Sequence, residues 1–144
     1  MFFISHRGNL TGPSIKNENH PEYIQNAISE GFDVEIDIRE YKGKLYLGHD
    51  EPQYEISNEF VKNKKLWCHA KDVDALWTLK SLNAIFFWHE RDSYTLTSNG
   101  YFWTYPGIDL IKNSICVLPE KQNYKNIECS GICSDYITKF RKND

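Results

Sequence analysis

The sequence has no excess of basic residues, no long apolar run and no closely spaced cysteine pair. Its 17 Lys and Arg against 20 Asp and Glu give a net charge of −3, which argues against binding nucleic acid through bulk charge. No run approaches the roughly 18 apolar residues of a membrane helix. The apolar stretch at residues 2–4 is too short for a secretory signal, and Arg7 lies on the wrong side of it. The sequence therefore predicts a single domain, residues 1–144, in the cytoplasm.

The four cysteines contain no CxxC pair, which makes a zinc ribbon or a thioredoxin-like site improbable. Cys129 and Cys133 are four positions apart and could form half of a zinc site. The simpler interpretation is that all four are reduced thiols in or near the core, where cysteine behaves as a small apolar residue.

Short apolar runs separated by polar, glycine or asparagine residues predict eight strands. A helix is predicted to start at Pro21 and end near Gly31, because proline suits a first helical position and glycine a helix end. A second helix is capped by Asp72 and buries Val73 and Leu79, and a third, shorter helix starts at Ser57. The predicted strands are residues 2–5, 33–38, 44–47, 65–70, 84–88, 100–104, 114–118 and 131–134.

Alternating strands and helices favour parallel β/α units, and eight strands favour a closed barrel. Eight units in 144 residues leave about 18 residues for each unit, against about 31 in a typical barrel of roughly 250 residues. The sequence therefore predicts an abbreviated TIM-like (β/α)8 barrel whose outer ring of helices is incomplete after Trp88.

Two carboxylates occur two positions apart within one predicted strand. Side chains alternate along a strand, so Glu35 and Asp37 share one face, about 7 Å apart, and Ile36 faces the other way. Buried without partners, two carboxylates would each cost several kcal/mol, so a buried pair calls for cations. The alternative is a strand whose polar face meets solvent.

Histidines and basic residues follow several predicted strands. A lone histidine at a strand end is usually structural, but the carboxyl ends of barrel strands meet at one mouth. Cations and a metal ion there would offset the charge of a phosphoryl group, and histidines would move protons. The groups that would converge are His6 and Arg7, the pair Glu35 and Asp37, His49, and His69 with Lys71.

Aromatic residues are frequent in the second half of the chain and are interpreted mainly as core. Trp103 or Tyr105 could instead line the mouth and stack on a substrate headgroup. His89 and Glu90 also end a predicted strand, where they could add to the pocket or be solvated.

These residues resemble the glycerophosphodiester phosphodiesterase family and its sphingomyelinase D-like relatives. The resemblance is most specific over residues 3–50 and looser through Lys71. It includes an HRG after the first strand, an EN pair before a helix, an ExD strand and a strand ending in HD. In this chain the motifs are His6-Arg7-Gly8, Glu18-Asn19, Glu35-Ile36-Asp37, Gly48-His49-Asp50, Phe102-Trp103-Thr104 and Gly131-Ile132-Cys133-Ser134-Asp135.

The resemblance implies a role for each matching position. His6 and His49 would be the acid/base pair, Arg7 and Lys71 would bind the phosphate, and Glu35 and Asp37 would bind a divalent metal ion. Glu18 and Asn19 would support the mouth, where Glu18 could lie near the metal; Trp103, from the aromatic residues, is a further candidate for such a role.

The chain departs from the family pattern at the third metal ligand. The family has a carboxylate there, whereas this chain has His69. Magnesium or calcium is implied by the resemblance, but imidazole suits manganese or zinc better. The family's longer insertion between His49 and Ala70, which helps bind glycerol, is also absent.

The predicted function is a metal-dependent phosphodiesterase that hydrolyses a small phosphodiester with a two-histidine acid/base mechanism. The alternatives are a non-catalytic barrel that binds a phosphorylated ligand or a metal, and a catalytic subunit completed by a partner. The sequence leaves open whether the nucleophile is water or a substrate hydroxyl, and whether the protein is a homo-oligomer.

Overall fold

A computed structural model describes residues 1–141 as one strongly curled, mixed β-sheet with three short helices. The helices are α1 (Pro21–Ser29), α2 (Val73–Ser81) and α3 (Ile137–Arg141), and short 3₁₀ turns form at Phe60–Lys62 and Pro119–Lys121. The strands are β1 (Phe2–His6), β2 (Asp33–Tyr41), β3 (Lys44–Leu47), β4 (Tyr54–Ile56), β5 (Leu66–Ala70), β6 (Phe86–Trp88), β7 (Tyr94–Leu96), β8 (Phe102–Thr104), β9 (Ser114–Val117) and β10 (Gly131–Ser134).

Seven strands are parallel and run in the order β6-β5-β2-β1-β10-β9-β8. The other three are antiparallel: β3 pairs with β2, β4 with β3, and β7 with β8. The register places His6 beside Glu35 and Asp37 beside His69. The ends of β1, β2 and β5 therefore bring their polar residues to one edge of the sheet.

The predicted (β/α)8 barrel with an incomplete helix ring is wrong, because the fold is a half-barrel of mixed sheet. Between β2 and β5, where a barrel would need a helix, the chain turns back at Lys42 and Gly43 into the antiparallel strands β3 and β4. Both turn residues have positive φ, 48° and 74°, as a tight hairpin turn requires. Only α1 and α2 complete β/α units at the first half of the sheet.

The individual elements follow the sequence more closely than their arrangement does. All eight predicted strands form, whereas β4, β7 and α3 were not predicted. The starts of the first two helices are confirmed: the His20 ring accepts a hydrogen bond from the Glu22 N–H, and the Asp72 carboxylate accepts one from the Ala75 N–H. The third predicted helix, starting at Ser57, is wrong, because that segment forms only the 3₁₀ turn Phe60–Lys62. The predicted burial of Val73 is wrong, since 69% of this residue is exposed.

The core lies on both sides of the sheet. On the convex side, α1 and α2 pack against Val34, Ile36 and Ile38 of β2. On the concave side, Trp67, Phe87 and neighbouring apolar residues fill the space below the site. The alternation of β2 therefore directs Glu35 and Asp37 to the concave side, as the sequence predicts. All four cysteines are free thiols.

Within residues 1–141, no helix is both long enough and apolar enough to cross a membrane.

Candidate functional site

The site is a cavity of about 460 Å³ at the carboxyl ends of the parallel strands. His6 ends β1, Glu35 lies in β2, and His69 lies in β5; His49 reaches the same cavity from the turn after β3. The structure thus brings the predicted groups to one mouth, although the sheet around them is not a closed barrel.

Three side chains form a group that could hold a metal ion. One ligand atom from each of Glu35, Asp37 and His69 lies within 4.8 Å of the others. His69 Nδ1 is 3.6 Å from Glu35 Oε1 and 3.5 Å from Asp37 Oδ1. Two ligands that share one ion at about 2.0–2.2 Å are typically separated by about 3–4 Å. The spacing therefore fits a shared divalent ion.

Two carboxylate oxygens of this group lack hydrogen-bond partners. Glu35 Oε2 and Asp37 Oδ1 are buried, and no donor among residues 1–141 satisfies them. The two side chains are 2% and 0% exposed. A buried acceptor without a partner costs about 1–3 kcal/mol, and more when it is charged. A cation bound by the two carboxylates would reduce that cost, so the residues present fit a metal ion.

Asn19 occupies a gap along the edge of β2 between its pairings with β1 and β3. Its Oδ1 accepts a hydrogen bond from the Asp37 N–H at 3.0 Å, and its Nδ2 donates to Asp37 Oδ2 at 2.8 Å. Its own N–H donates to the Arg7 carbonyl at 3.1 Å. Its φ is 62°, which asparagine tolerates better than most residues. The Asn19 side chain therefore accepts the backbone hydrogen bond that a neighbouring strand would otherwise accept, and it fixes the position of the Asp37 carboxylate.

Replacing Asn19 with Ala is expected to lower the free energy of unfolding by about 2–4 kcal/mol. The change leaves a buried N–H and a carboxylate oxygen of Asp37 without partners, at about 1–3 kcal/mol each. Urea denaturation measures the loss. Asn17→Ala is the control, because the Asn17 side chain is exposed and bonds only Ser14. A loss no larger than that of Asn17→Ala would contradict the assigned role.

Arg7 connects the buried carboxylates with the mouth of the cavity. Its Nε lies 2.9 Å from Asp37 Oδ2, although this N–H is not aligned for a hydrogen bond, and its Nη1 donates to Glu18 Oε2 at 3.3 Å. Burial alone would raise the pKa of the Asp37 carboxyl, but the Arg7 charge, together with His69 and Asn19, holds that pKa below its ordinary value. Asp37 is therefore ionised and suited to bind a cation.

His6 is oriented by a carboxylate from the opposite end of the chain. Its Nδ1 lies 2.7 Å from Asp135 Oδ1, which also accepts a hydrogen bond from Asn9 Nδ2 at 2.8 Å. Burial raises the pKa of Asp135, but the hydrogen bonds from His6 and Asn9 and the charges of His6 and Lys121 together lower it below its ordinary value. Since the ionised carboxylate only accepts, His6 Nδ1 carries the hydrogen and Nε2 faces Glu35 Oε2 at 3.8 Å.

In the metal-free protein, the pKa of His6 is expected to lie above its ordinary value. Burial lowers this pKa, but the Asp135 hydrogen bond and the Glu35 charge raise it by more. The free energy that this shift contributes to folding is fully present below about pH 6.5, the ordinary histidine pKa. It is lost as pH rises through the pKa of His6 in the folded protein. NMR titration of the histidine ring signals measures it.

Asp135→Asn should lower the pKa of His6, because it removes the charged acceptor, whereas the distant Asp92→Asn should leave it unchanged. A His6 pKa below the ordinary value in the unmodified protein would show that burial dominates.

His49 projects from a tight turn between β3 and β4. A Cβ on Gly48 would lie 1.9 Å from the Glu51 carbonyl oxygen, so only glycine fits there. Arg39 donates hydrogen bonds to the carbonyl oxygens of Gly48 and His49 and holds the turn. The His49 side chain is 43% exposed, and its Nδ1 lies 2.7 Å from Asp50 Oδ1. His49 is thus the more solvated of the two predicted proton-transfer residues.

The remaining predicted residues take different positions. Lys71 lines the cavity and makes no salt bridge with any other of residues 1–141. Glu18 braces Arg7 and Asn9 and is not part of the three-residue metal group. Trp103 is 3% exposed, stacks on Phe87 at 4.4 Å, and reaches the cavity only as part of its wall.

Sequence reasoning assigned no supporting role to Asp135, Asn9 or Arg39. Asp135 stands at the end of the Gly131-Ile132-Cys133-Ser134-Asp135 run, which was a usable signal. Asn9 and Arg39 bear no motif of their own. His89 and Glu90 line the cavity, one of the two interpretations that the sequence left open. The His89 carbonyl oxygen also accepts a hydrogen bond from His69 Nε2, a contact that no sequence pattern reports.

No protein-family model matches this chain, and no curated protein or solved structure does so either.

Proposed function

We propose that this chain is a metal-dependent phosphodiesterase that cleaves a small phosphodiester. The observation that carries the proposal is the meeting of the metal group with two candidate proton-transfer histidines and two cations in one cavity. The buried carboxylate oxygens that lack hydrogen-bond partners favour the binding of a divalent ion. The resemblance to the glycerophosphodiester phosphodiesterase family supports the same residues apart from His69, where the family has a carboxylate.

The charges near the metal group favour a substrate with one negative charge. Glu18, Glu35 and Asp37 are balanced by Arg7 together with a divalent ion. Glu90 and Lys121 also line the cavity and cancel each other, so Lys71 remains to balance a phosphate group. A phosphodiester carries one negative charge, whereas a phosphate monoester carries close to two at neutral pH. The balance therefore supports a diester.

A divalent ion bound by these residues would supply charge stabilisation for the phosphate. Arg7 and Lys71 would orient the phosphate oxygens. One of His6 and His49 would take the proton from the nucleophile, and the other would give a proton to the leaving oxygen. Because the Nδ1–H of His6 is bonded to Asp135, His6 would take up or release its proton at Nε2.

Two features support the expectations that an aromatic ring contacts the substrate and that the protein works in the cytoplasm. Tyr105 is 44% exposed and lines the cavity, so it is the aromatic ring available to contact a substrate arm. The four free thiols fit a reducing compartment such as the cytoplasm.

The proposal is tested by assaying the purified protein on bis(p-nitrophenyl) phosphate and on natural glycerophosphodiesters, with Mg²⁺, Ca²⁺, Mn²⁺, Co²⁺ or Zn²⁺ added. Turnover that a chelator abolishes and a divalent ion restores is expected. Metal binding with no cleavage of any diester would instead favour a binding protein. Cleavage that appears only in the presence of a copurifying partner would favour a catalytic subunit.

A further inference from the structure

The His69 ring is held so that one particular nitrogen faces the two carboxylates. Its Nε2 lies 2.8 Å from the carbonyl oxygen of His89. A carbonyl oxygen only accepts, so Nε2 carries a hydrogen, and Nδ1, which faces Glu35 and Asp37, is the nitrogen left to bind a metal ion. The ring also stacks on Phe87, with centroids 5.0 Å apart and planes 16° apart. The imidazole is therefore fixed in both tautomer and orientation.

The segment at residues 89–92 that supplies this carbonyl is itself anchored. Asp92 Oδ2 lies 3.0 Å from His89 Nδ1, and Asp92 Oδ1 accepts a hydrogen bond from the Glu90 N–H at 3.0 Å. The preceding carbonyl, of Trp88, accepts a hydrogen bond from Thr95 Oγ1 at 2.8 Å. The position of the His89 carbonyl is thus fixed on both sides.

This carbonyl suits an imidazole at position 69 and no carboxylate. A carboxylate would set its negative oxygens against the His89 carbonyl oxygen, because neither group can donate a hydrogen bond. The 89–92 segment is therefore matched to the nitrogen ligand. An acceptor that bonds the other ring nitrogen of a ligating histidine orients the ring and raises its basicity, and loss of such an acceptor typically costs about 10–100-fold in metal affinity.

We propose that the Glu35, Asp37 and His69 site selects a first-row transition ion over Mg²⁺ and Ca²⁺, and that the 89–92 segment sets this selectivity by fixing His69 Nδ1 as a ligand. The proposal rests on the metal centre of the proposed function and extends it to the class of ion. Imidazole binds Mn²⁺, Co²⁺ and Zn²⁺ better than the hard ions, whereas Mg²⁺ and Ca²⁺ prefer oxygen ligands only.

The test is titration of the metal-free protein with Co²⁺, Zn²⁺, Mn²⁺, Mg²⁺ and Ca²⁺. Calorimetry measures each dissociation constant, and visible absorption monitors Co²⁺ binding as well. Most protein sites prefer Co²⁺ to Mg²⁺, so the informative quantity is the change in that preference on mutation. In His69→Asp the ratio of the Mg²⁺ to the Co²⁺ dissociation constant should fall by at least about tenfold. Asp92→Ala leaves all three ligands in place and acts only through the position of the His89 carbonyl, so it should weaken Co²⁺ binding by up to about tenfold, the lower limit for loss of a direct partner.

Asp74→Asn, on the exposed face of α2, is the control and should change neither value. An unchanged preference in His69→Asp, an unchanged Co²⁺ affinity in Asp92→Ala, or no ion bound at all would overturn the inference. Selective binding without diester cleavage would leave the inference standing and remove the proposed function. Cleavage by a protein whose His69→Asp variant keeps the same ion preference would do the reverse.

Discussion

Replacing His6 with Ala is expected to lower the turnover of a phosphodiester by about 10²–10⁴-fold while fold and metal affinity are retained. The substitution removes a nitrogen that exchanges a proton with the substrate, but none of the three metal-binding side chains. His49→Ala should have a similar effect. The double variant should be little worse than either single variant, because groups that act as a unit are not additive.

A leaving group that needs no proton separates the two histidines. A nitrophenyl phosphodiester should restore turnover in the variant that lacks the general acid and leave the other variant slow. His20→Asn is the control: asparagine keeps the N-cap of α1 that His20 provides, so turnover should not change. Unchanged hydrolysis of a natural diester by His6→Ala would refute the acid/base role and favour a binding function.

Replacing Asp37 with Asn is expected to weaken divalent-ion binding by more than about 100-fold. Loss of a residue that only hydrogen-bonds to a metal ligand costs up to that factor, and Asp37 is itself a proposed ligand. The side chain keeps its size but loses the charge that faces His69 Nδ1 and the Arg7 guanidinium. Diester cleavage should fall in parallel and recover in part at high metal concentration. Calorimetric titration measures the affinity, and circular dichroism checks the fold.

Asp33→Asn is the matched control for this prediction. Asp33 lies on the same face of β2, but it accepts a hydrogen bond from Trp67 Nε1 and lies 3.6 Å from Lys65 Nζ, away from the metal group. Its replacement should leave metal affinity unchanged. If Asp37→Asn binds ions as tightly as Asp33→Asn does, the metal site has been misassigned.

The position of the candidate site follows from the sequence because strand alternation is a local property. Glu35 and Asp37 share a face whatever their strand pairs with, and His6, His69 and Lys71 all end parallel strands. The carboxyl ends of parallel strands lie on one side of the sheet in a half-barrel as well as in a closed barrel. The error in fold class therefore did not displace the predicted site. The chemical roles of these residues stay predictions.

The error in fold class came from strand direction, which alternation does not encode. The strands at residues 33–38 and 44–47 were predicted, but counting the second of them as one more parallel unit was wrong. β4 and β7 have three residues each, too few to show a period of two. Backbone acceptors such as the His89 carbonyl leave no mark on residue type, so the partner of His69 could not be predicted.

In strand β2, the alternation of successive side chains alone places the apolar residues against the helices and the carboxylates in the site. A shift of its pairing by a single residue would place Glu35 and Asp37 among the helices and Ile36 in the cavity. Such a misfolded chain could not bind the ion. A ligand that binds only the native state stabilises it by RT ln(1 + [L]/Kd). The ion proposed for catalysis would therefore also discriminate against misregistered chains, and its availability during synthesis would affect the yield of correctly folded protein.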